Sequence, residues 1–256
     1  MTRFTPVDVD RVVEQTFVAR AEHHDRLGST NDRAIRLASE PGELPLLIVA
    51  YRQTAGRGRG TNRWWAGPGS LTMSLLLEPE MVAAGRTTTP MSALATAVGV
   101  VDAVAPLLAQ HDVGIHWPND VIAAGRKLAG ILVEVLPSRC LVVGIGVNSN
   151  NSLADVPDDL RQTATTLYEL TGRPHDQTAI VVSLLKNLET GFALLRSAPE
   201  EIAAQADALC LQHGRTLTIQ QGQEPTTGQC GGIAPDGALL LETPQGDKRF
   251  YSGVLK

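Results

Sequence analysis

Cysteine is scarce in this sequence, and its spacing shows no pairing. Cys140, Cys210 and Cys230 are far apart and form no Cys-x-x-Cys pair, which indicates neither a disulfide framework nor a cysteine zinc site. Long apolar runs are also missing: no uninterrupted stretch approaches the roughly 20 residues that span a bilayer, and no basic segment precedes an apolar run at the N-terminus. We therefore expect a cytoplasmic protein with no membrane partner.

Positive charge is in deficit as well. The chain has 22 lysines and arginines against 27 acidic residues, a formal net charge of −5, which argues against broad, sequence-independent DNA binding. Residues 1–20 show only a weak amphipathic pattern, which is too short for a helix-turn-helix module. We expect no DNA partner, and we expect any basic site to bind a small anion.

Short motifs for common nucleotide, hydrolase and metal sites are missing too. Residues 56–60 superficially fit a dinucleotide fingerprint, but Thr61 stands where glycine is required and the loop leads into a predicted strand. The chain has no Gly-x-x-x-x-Gly-Lys-Ser/Thr run and no Gly-x-Ser-x-Gly elbow. Its six histidines lack a spacing such as His-x-x-x-His, so no protein-held metal site is predicted.

Glycine, arginine and tryptophan are instead concentrated in residues 53–65. This stretch, the arginine loop, holds three glycines, three arginines and two tryptophans. Glycine lets the backbone approach a ligand closely, and arginine offers a planar fork of donors to a carboxylate or phosphate. Trp64 and Trp65 offer flat faces on which a base can stack. The loop is a candidate anion-binding site, with a solvated flexible loop or a nucleic-acid patch as alternatives.

Hydrophobic patterning predicts an α/β fold around this loop. Strands are predicted at residues 45–51, 70–77, 113–117, 127–135 and 141–148. Helices are predicted from an N-cap at Ser29 or Thr30 to about residue 39, and at residues 90–108, 160–170, 178–196 and 199–209. Short strands follow at 216–219, 228–233, 238–242 and 249–251. They predict a small barrel, with a domain boundary near 212 that divides the chain into residues 1–211 and 212–256.

Four polar clusters occur in a fixed order along the chain. They are Ser-Thr-Asn at 29–31, the arginine loop, Trp-Pro-Asn-Asp at 117–120 and Lys-Leu-Ala-Gly-Ile-Leu-Val-Glu at 127–134, with Gly-Ile-Gly-Val-Asn following at 144–148. Each motif is short, but together and in this order they resemble the biotin protein ligase family. The resemblance covers about residues 27–150, and the small terminal barrel fits the C-terminal domain of that family.

The resemblance implies a fold, a reaction and partners. The fold would be a mixed sheet flanked by helices, like the catalytic domain of class II aminoacyl-tRNA synthetases, followed by a small SH3-like β-barrel. The reaction would use biotin and ATP as substrates, with Mg²⁺, to form biotinyl-AMP and pass the biotinyl group to a lysine of a carrier protein. The implied partner is the biotin carboxyl carrier domain of acetyl-CoA carboxylase or a related carboxylase, and the enzyme would be a monomer or weak homodimer.

The resemblance also assigns residues, motif by motif. Those implied to bind biotin are Ser29, Thr30, Asn31, Gln53, Gly56, Arg57, Gly58, Arg59, Lys127 and Gly130. Those implied to bind ATP or the adenylate are Arg59, Trp64, Asn119, Lys127 and Asn148. Lys127, Arg59 and Asp120 are the implied catalytic residues. Attack of a carboxylate on a phosphate brings anions together and is helped by positioned cations, and the resemblance places Asp120 near the nucleotide and its Mg²⁺.

The chain departs from the pattern of the family in two places, and two other readings are open. Gly60, Thr61 and Asn62 stand where the loop more often continues with Gly-Arg, and His116 replaces a common lysine before Trp-Pro-Asn-Asp. A lipoate or octanoate transferase is the nearest alternative enzyme, although the arginine loop and terminal barrel favour biotin. A non-catalytic biotin sensor or DNA-binding repressor is the other, and Lys127 argues against it.

Overall fold

The structure is a computed structural model that describes residues 5–40, 42–82, 89–154, 156, 158–222 and 224–255. Its larger sheet contains β1 (Arg20–His24), β2 (Leu46–Ala50), β3 (Leu71–Leu77), β4 (Val113–His116), β5 (Asp120–Ala123), β6 (Arg126–Val135) and β7 (Leu141–Val147). The strand order is β1-β2-β3-β7-β6-β5-β4, in which β1 and β2 are parallel and the other pairs antiparallel. The predicted mixed sheet is confirmed.

Helices cover both faces of this sheet. They are α1 (Val9–Gln15), α2 (Thr30–Leu37), α3 (Pro79–Val82), α4 (Thr89–Val104) with a 3-10 turn at Ala105–Leu107, α5 (Asp158–Thr163), α6 (Leu167–Thr171), α7 (Gln177–Ser197) and α8 (Pro199–Ala208). On one face α4 and α7 pack together within the main core, and on the other α2 packs over β2, β3 and β7. Every residue of β2, β3 and β7 is buried, and the apolar runs of β2 and β7 predict this for those two strands.

Two of the helices are long and apolar enough to cross a membrane by length and composition alone. In α4 with its 3-10 turn 72% of the apolar window is buried inside the fold, and in α7 56% is. Gly99 of α4 faces Leu188 of α7 so closely that a Cβ there would lie 2.9 Å from Leu188 Cδ2. Such close helix packing is typical of core helices, which pass the same length test.

The C-terminal part of the chain forms a separate antiparallel sheet. Its strands are β8 (Thr216–Gln220), β9 (Pro225–Ile233), β10 (Leu239–Thr243), β11 (Gly246–Phe250) and β12 (Val254–Leu255), in the order β11-β10-β9-β8-β12. This sheet is consistent with the predicted SH3-like barrel. Its buried side chains belong to the same core cluster as α4 and α7, so the two sheets share apolar packing.

Beside the Trp-Pro-Asn-Asp turn, hydrogen bonds link the larger sheet to residues 209–212, which precede β8, and to the turn between β9 and β10. Ile115 donates to Leu209 O at 2.7 Å and accepts from Leu211 N at 3.0 Å. The buried Trp117 donates its amide to Gln212 Oε1 at 2.6 Å and its indole N–H to Gly237 O at 3.2 Å. The turn between β4 and β5 is therefore fixed from both sides. The predicted boundary near 212 falls at this junction and stays a prediction.

Three local predictions were wrong or incomplete. The single helix expected at 160–170 is two helices, because Thr166 caps α6 by accepting a hydrogen bond from Glu169 N, and Thr165 N bonds to Lys127 O. The sequence analysis did not predict β1, whose half-buried residues Arg-Ala-Glu-His-His show no apolar alternation. It also missed β12, which is only two residues long.

Candidate active site

A cleft of about 530 Å³ opens where the larger sheet meets the C-terminal sheet. It is lined by the start of α2, the arginine loop, parts of β6 and β7 and the turn between β4 and β5. Gln220, Gln221 and residues 252–255 of the C-terminal sheet complete the lining. These last positions carry no motif, so the sequence analysis did not predict them.

Glycines make the floor of the cleft. Gly130 of β6 pairs with Gly146 of β7, and Gly144 lies two residues away on the same face. A Cβ at 144 would overlap Asn31 Oδ1, and one at 146 would overlap the Trp64 indole. The absence of side chains at these positions lets groups from α2 and the arginine loop lie directly on the sheet.

Amides and hydroxyls line one end of the cleft, which we call the amide end. Ser29 caps α2, and Thr30 donates its backbone N–H and its hydroxyl to Gln53 Oε1 at 2.7 and 3.2 Å. Ser74 Oγ, fully buried on β3, lies 2.7 Å from Thr30 Oγ1 and 2.6 Å from Asn31 Oδ1. Such fixed donors and acceptors suit a compact neutral head that both donates and accepts hydrogen bonds. Ser74 was not predicted, because it lies within a mostly apolar strand.

The first arginine of the loop is held by carboxylates. Arg57 donates to Asp32 Oδ1 at 2.8 Å and, through two nitrogens, to Glu134 at 2.5 and 3.1 Å. Hydrogen bonds to Glu134 first, and then to Asp32, raise the pKa of the Arg57 guanidinium above its usual value. The family resemblance implied that Arg57 binds biotin, and neither acidic partner was predicted from the sequence.

The second arginine has a different environment. Arg59 donates to Asn119 Oδ1 at 3.1 Å and to Gly253 O at 3.4 Å, so it reaches from the loop to the C-terminal sheet. Burial lowers the pKa of Arg59, and the nearby Asp120 carboxylate opposes that shift. The oxygens that accept from Arg59 belong to neutral carbonyl groups, so most of the guanidinium charge stays uncompensated. Arg59 is therefore well suited to receive an anion in the cleft.

A tryptophan and a lysine lie side by side above the glycine floor. The Trp64 ring covers Gly146, and its Nε1 is buried without a hydrogen-bond partner among the described residues. Lys127 Nζ lies 5.8 Å from the centre of this ring and 2.7 Å from Asp120 Oδ1. The indole, the ammonium and the carboxylate thus share one wall of the cleft.

A register shift brings Lys127 to this wall. Between β5 and β6, Val121 pairs with Ala129 but Ile122 pairs with Lys127, so Leu128 is an extra residue. Residues 127 and 130 would face opposite sides of a regular strand, and one extra residue returns them to the same side. The Lys127 Cε atom accordingly lies 3.3 Å from the Cβ position of Gly130.

Two residues assigned from the sequence lie outside the cleft lining. The Gly56 carbonyl accepts from Trp64 N at 3.0 Å, which closes the arginine loop on itself. Asn148 donates its side-chain amide to Lys127 O at 3.4 Å and supports that backbone from behind. The other assigned residues line the cleft together with His116. Burial lowers the pKa of His116, and the nearby Asp120 carboxylate opposes this shift.

Together these groups offer a polar pocket for a neutral head, two cations for anionic groups and an indole for a flat ring. The arrangement is that of an enzyme that binds a small carboxylic acid beside a nucleotide.

Comparisons with protein families agree with this class of enzyme. The biotin/lipoate A/B protein ligase family model matches residues 24–148, and that of the biotin protein ligase C terminal domain matches residues 213–254.

Relatives of known name resemble the chain over most of its length. The bifunctional ligase/repressor BirA of Bacillus subtilis is 33% identical over 240 residues, which cover 91% of this chain and 73% of that protein. The biotin–[acetyl-CoA-carboxylase] ligase of Mycobacterium tuberculosis is 34% identical over 219 residues, covering 84% and 80%. Among solved structures, biotin protein ligase from Aquifex aeolicus in complex with biotin and ATP has a TM-score of 0.81 and 28% identity, and covers 93% and 97% of the two chains. The chain therefore belongs to the biotin protein ligase family, and the resemblance read from its four polar clusters is confirmed.

Proposed function

We propose that this cleft forms biotinyl-AMP from biotin and ATP and then passes the biotinyl group to a lysine of a biotin carboxyl carrier protein. The protein is an ATP-dependent ligase of the biotin family, and the proposal assigns its steps to residues. The observation that carries the assignment is that Lys127 and Arg59 lie in one cleft with the amide end formed by residues 29–31 and Gln53. A polar pocket and two cations then face the two ends of one bound acid.

In the first step, a biotin carboxylate oxygen attacks the α-phosphorus of ATP and the bond to pyrophosphate breaks. The amide end holds the ureido ring, so the carboxylate lies toward Lys127 and Arg59. These cations offset the negative charge that gathers at phosphorus. Trp64 offers the adenine a flat face, since indole rings stack on bases. In the second step, the carrier amine attacks the acyl carbon and AMP leaves.

Magnesium would enter with the nucleotide. Mg²⁺ is usually held by one or two carboxylates together with substrate phosphates, and Asp120 is the carboxylate that lines the described part of the cleft. Asn119 supplies a neutral oxygen beside it. The residues therefore fit a phosphate-borne ion, which would neutralise phosphate charge. No group of three histidine, cysteine or acidic side chains suited to a metal occurs within the described ranges.

We further propose that the carrier belongs to acetyl-CoA carboxylase or a related carboxylase and that the protein acts in the cytoplasm as a monomer or weak homodimer. The name of the Mycobacterium tuberculosis relative supports the carrier. The net charge of −5 supports an enzyme without a DNA partner. The decisive test is the mass of a candidate carrier domain after incubation with this protein, ATP, Mg²⁺ and either biotin or lipoate. A biotin-sized increase supports the proposal, and a lipoyl-sized increase alone supports the alternative transferase.

Arg59→Gly is expected to release biotinyl-AMP faster than the wild type by roughly 10- to 100-fold, because one charge-assisted contact is worth about 1.5–3 kcal/mol. Stopped-flow dissociation of the adenylate measures this rate. Arg249→Gly is the matched control, since Arg249 pairs with Asp236 on the outer surface of the C-terminal sheet. Equal dissociation rates in the two variants would contradict a ligand contact at Arg59.

Residues 54–62 are expected to gain amide-exchange protection when biotinyl-AMP binds. Glycine raises the entropy cost of ordering this stretch, and an anion that binds Arg59 would add a contact between the loop and the rest of the cleft. Side chains of Arg57 and Arg59 anchor the loop, but Gly58 N and Asn62 N bond only within it, to Asn62 O and Arg59 O. The gain is therefore expected mainly in the backbone of residues 58–62. Hydrogen exchange with and without the adenylate measures the change. Protection that is the same in both states would count against loop closure.

A further inference from the structure

Glu134 connects two parts of the site that no motif connects. It lies near the end of β6, and its carboxylate accepts from Asn31 Nδ2 at 2.8 Å and from both terminal nitrogens of Arg57 at 2.5 and 3.1 Å. Asn31 belongs to the amide end, and Arg57 begins the glycine-arginine part of the loop. One half-buried side chain, 23% exposed, therefore contacts both.

The contact to Asn31 sets the orientation of its amide. A carboxylate only accepts hydrogen bonds, so Glu134 requires the NH₂ group of Asn31 on its side. Asn31 Oδ1 then points to Ser74 Oγ, 2.6 Å away, over the bare backbone of Gly144. Asn31 is 4% exposed, which leaves it little room to rotate. Leu132 O accepts from the same nitrogen at the longer distance of 3.5 Å, so Glu134 makes the shorter of the two contacts that set which atom of this amide a ligand head would meet.

The contact to Arg57 fixes the loop in place. Two parallel hydrogen bonds from a guanidinium to one carboxylate fix both distance and angle, and Asp32 adds a third bond at 2.8 Å. With two carboxylates on it, Arg57 has little net charge to offer an incoming anion. Arg59 donates hydrogen bonds to two carbonyl oxygens and has one carboxylate, that of Asp120, nearby, so it keeps more of its charge. The two arginines of one motif therefore have different tasks.

We propose that Glu134 is a positioning residue that fixes the amide end and the arginine loop relative to each other. Biotin then meets a preformed pocket, while Lys127 and Arg59 act on the reacting groups. This inference rests on the proposed function. It requires Glu134 to act on biotin affinity through Asn31 and Arg57, without contact to the reacting atoms. Most exposed ion pairs stabilise a protein very little, so the test must separate this role from ordinary surface pairing.

The test is biotin-dependent ATP–pyrophosphate exchange by the full chain and by Glu134→Gln, which keeps the shape but removes the charge. We expect the KM for biotin to rise about tenfold or more, the loss of one charge-assisted contact, with kcat nearly unchanged. Glu169→Gln is the matched control, because Glu169 pairs with Arg126 at 2.8 Å outside the cleft lining. Melting curves of both variants should be alike.

A double variant tests the route of the effect. If Glu134 acts largely through Arg57, then Arg57→Gln combined with Glu134→Gln should raise the KM for biotin less than the product of the single changes, since coupled residues are not additive. Full multiplicativity would overturn that route. An equal KM in Glu134→Gln and Glu169→Gln would overturn the positioning role altogether.

Failure of the proposed function and failure of the Glu134 variant to fold give different results. No biotin-dependent exchange by the wild-type protein would overturn the proposed function itself, before any variant is compared. If Glu134→Gln does not fold, Asp32→Asn removes the second carboxylate from Arg57 and leaves Asn31 and Glu134 in contact. A smaller rise in the KM for biotin is then expected, and no rise would overturn the role assigned to Arg57 and its carboxylates.

Discussion

Lys127→Ala is expected to lower biotin-dependent pyrophosphate exchange by on the order of 10²- to 10³-fold, the usual cost of removing one preorganised electrostatic contact to a transition state. The Lys127 ammonium lies 2.7 Å from Asp120 and is 37% exposed. It is therefore held in place but still open to an incoming carboxylate and phosphate. Both reacting groups are anions, so the cation is worth most when they meet.

Lys127→Arg should rescue this activity poorly. The lysine chain crosses Gly130 with its Cε 3.3 Å from the Cβ position there, and a planar guanidinium cannot occupy the site of a compact ammonium. The fold should tolerate the loss, because a cleft side chain leaves no cavity in the core. Lys186→Ala, on the exposed face of α7, is the control for exchange and melting. Near wild-type exchange by a folded Lys127→Ala protein would reduce Lys127 to an ordinary surface lysine.

The parts of the site that the sequence predicted are those where residue type alone implies chemistry. The Ser-Thr-Asn segment reads as a helix cap followed by polar groups, and the structure caps α2 with Ser29 as expected. Alternating arginine and glycine made residues 53–65 a candidate binding loop, and the other clusters decided between that and a solvated loop. The order of the four clusters then identified the family, and each cluster lines the cleft.

The parts that could not be predicted depend on register and on distant contacts. The bulge that returns Lys127 to the face of Gly130 is a matter of strand pairing, which the local pattern does not record. Ser74 lies within a mostly apolar strand, and its role comes from its contact with Asn31 of α2, which packs on the sheet. The carboxylate partners of Arg57 are 25 and 77 residues away in the chain, a separation that no short motif spans.

Two predictions of secondary structure were wrong for similar reasons. The edge strand β1 shows no apolar alternation because all five of its residues are half-buried, so neither face of the strand is distinctly buried or exposed. The break between α5 and α6 follows from the bond between Thr165 N and Lys127 O, a tertiary contact that outweighs local helix propensity. The break between α5 and α6 contacts the backbone of Lys127, which belongs to the wall of the cleft. Strand β1 precedes α2, whose start lines the cleft.

Gly144→Ala is expected to remove most biotin binding, with kcat/KM for biotin falling by about 10²-fold, the usual cost of displacing a positioning group by an ångström. The added methyl would overlap Asn31 Oδ1. Asn31 is 4% exposed and bonded to both Ser74 and Glu134. The amide can yield only by breaking those bonds and moving into the space where a ligand head would lie.

The thermal shift produced by biotin separates this effect from general damage. A ligand stabilises the folded protein by RT ln(1 + [L]/Kd), so a variant with lost affinity should melt at the same temperature with and without biotin. Gly191→Ala is the matched control, because a Cβ at that position in α7 would come no closer than 3.7 Å to its neighbours. It should keep the full biotin shift. If Gly144→Ala also keeps it, the glycine floor is not what places Asn31 at the biotin pocket.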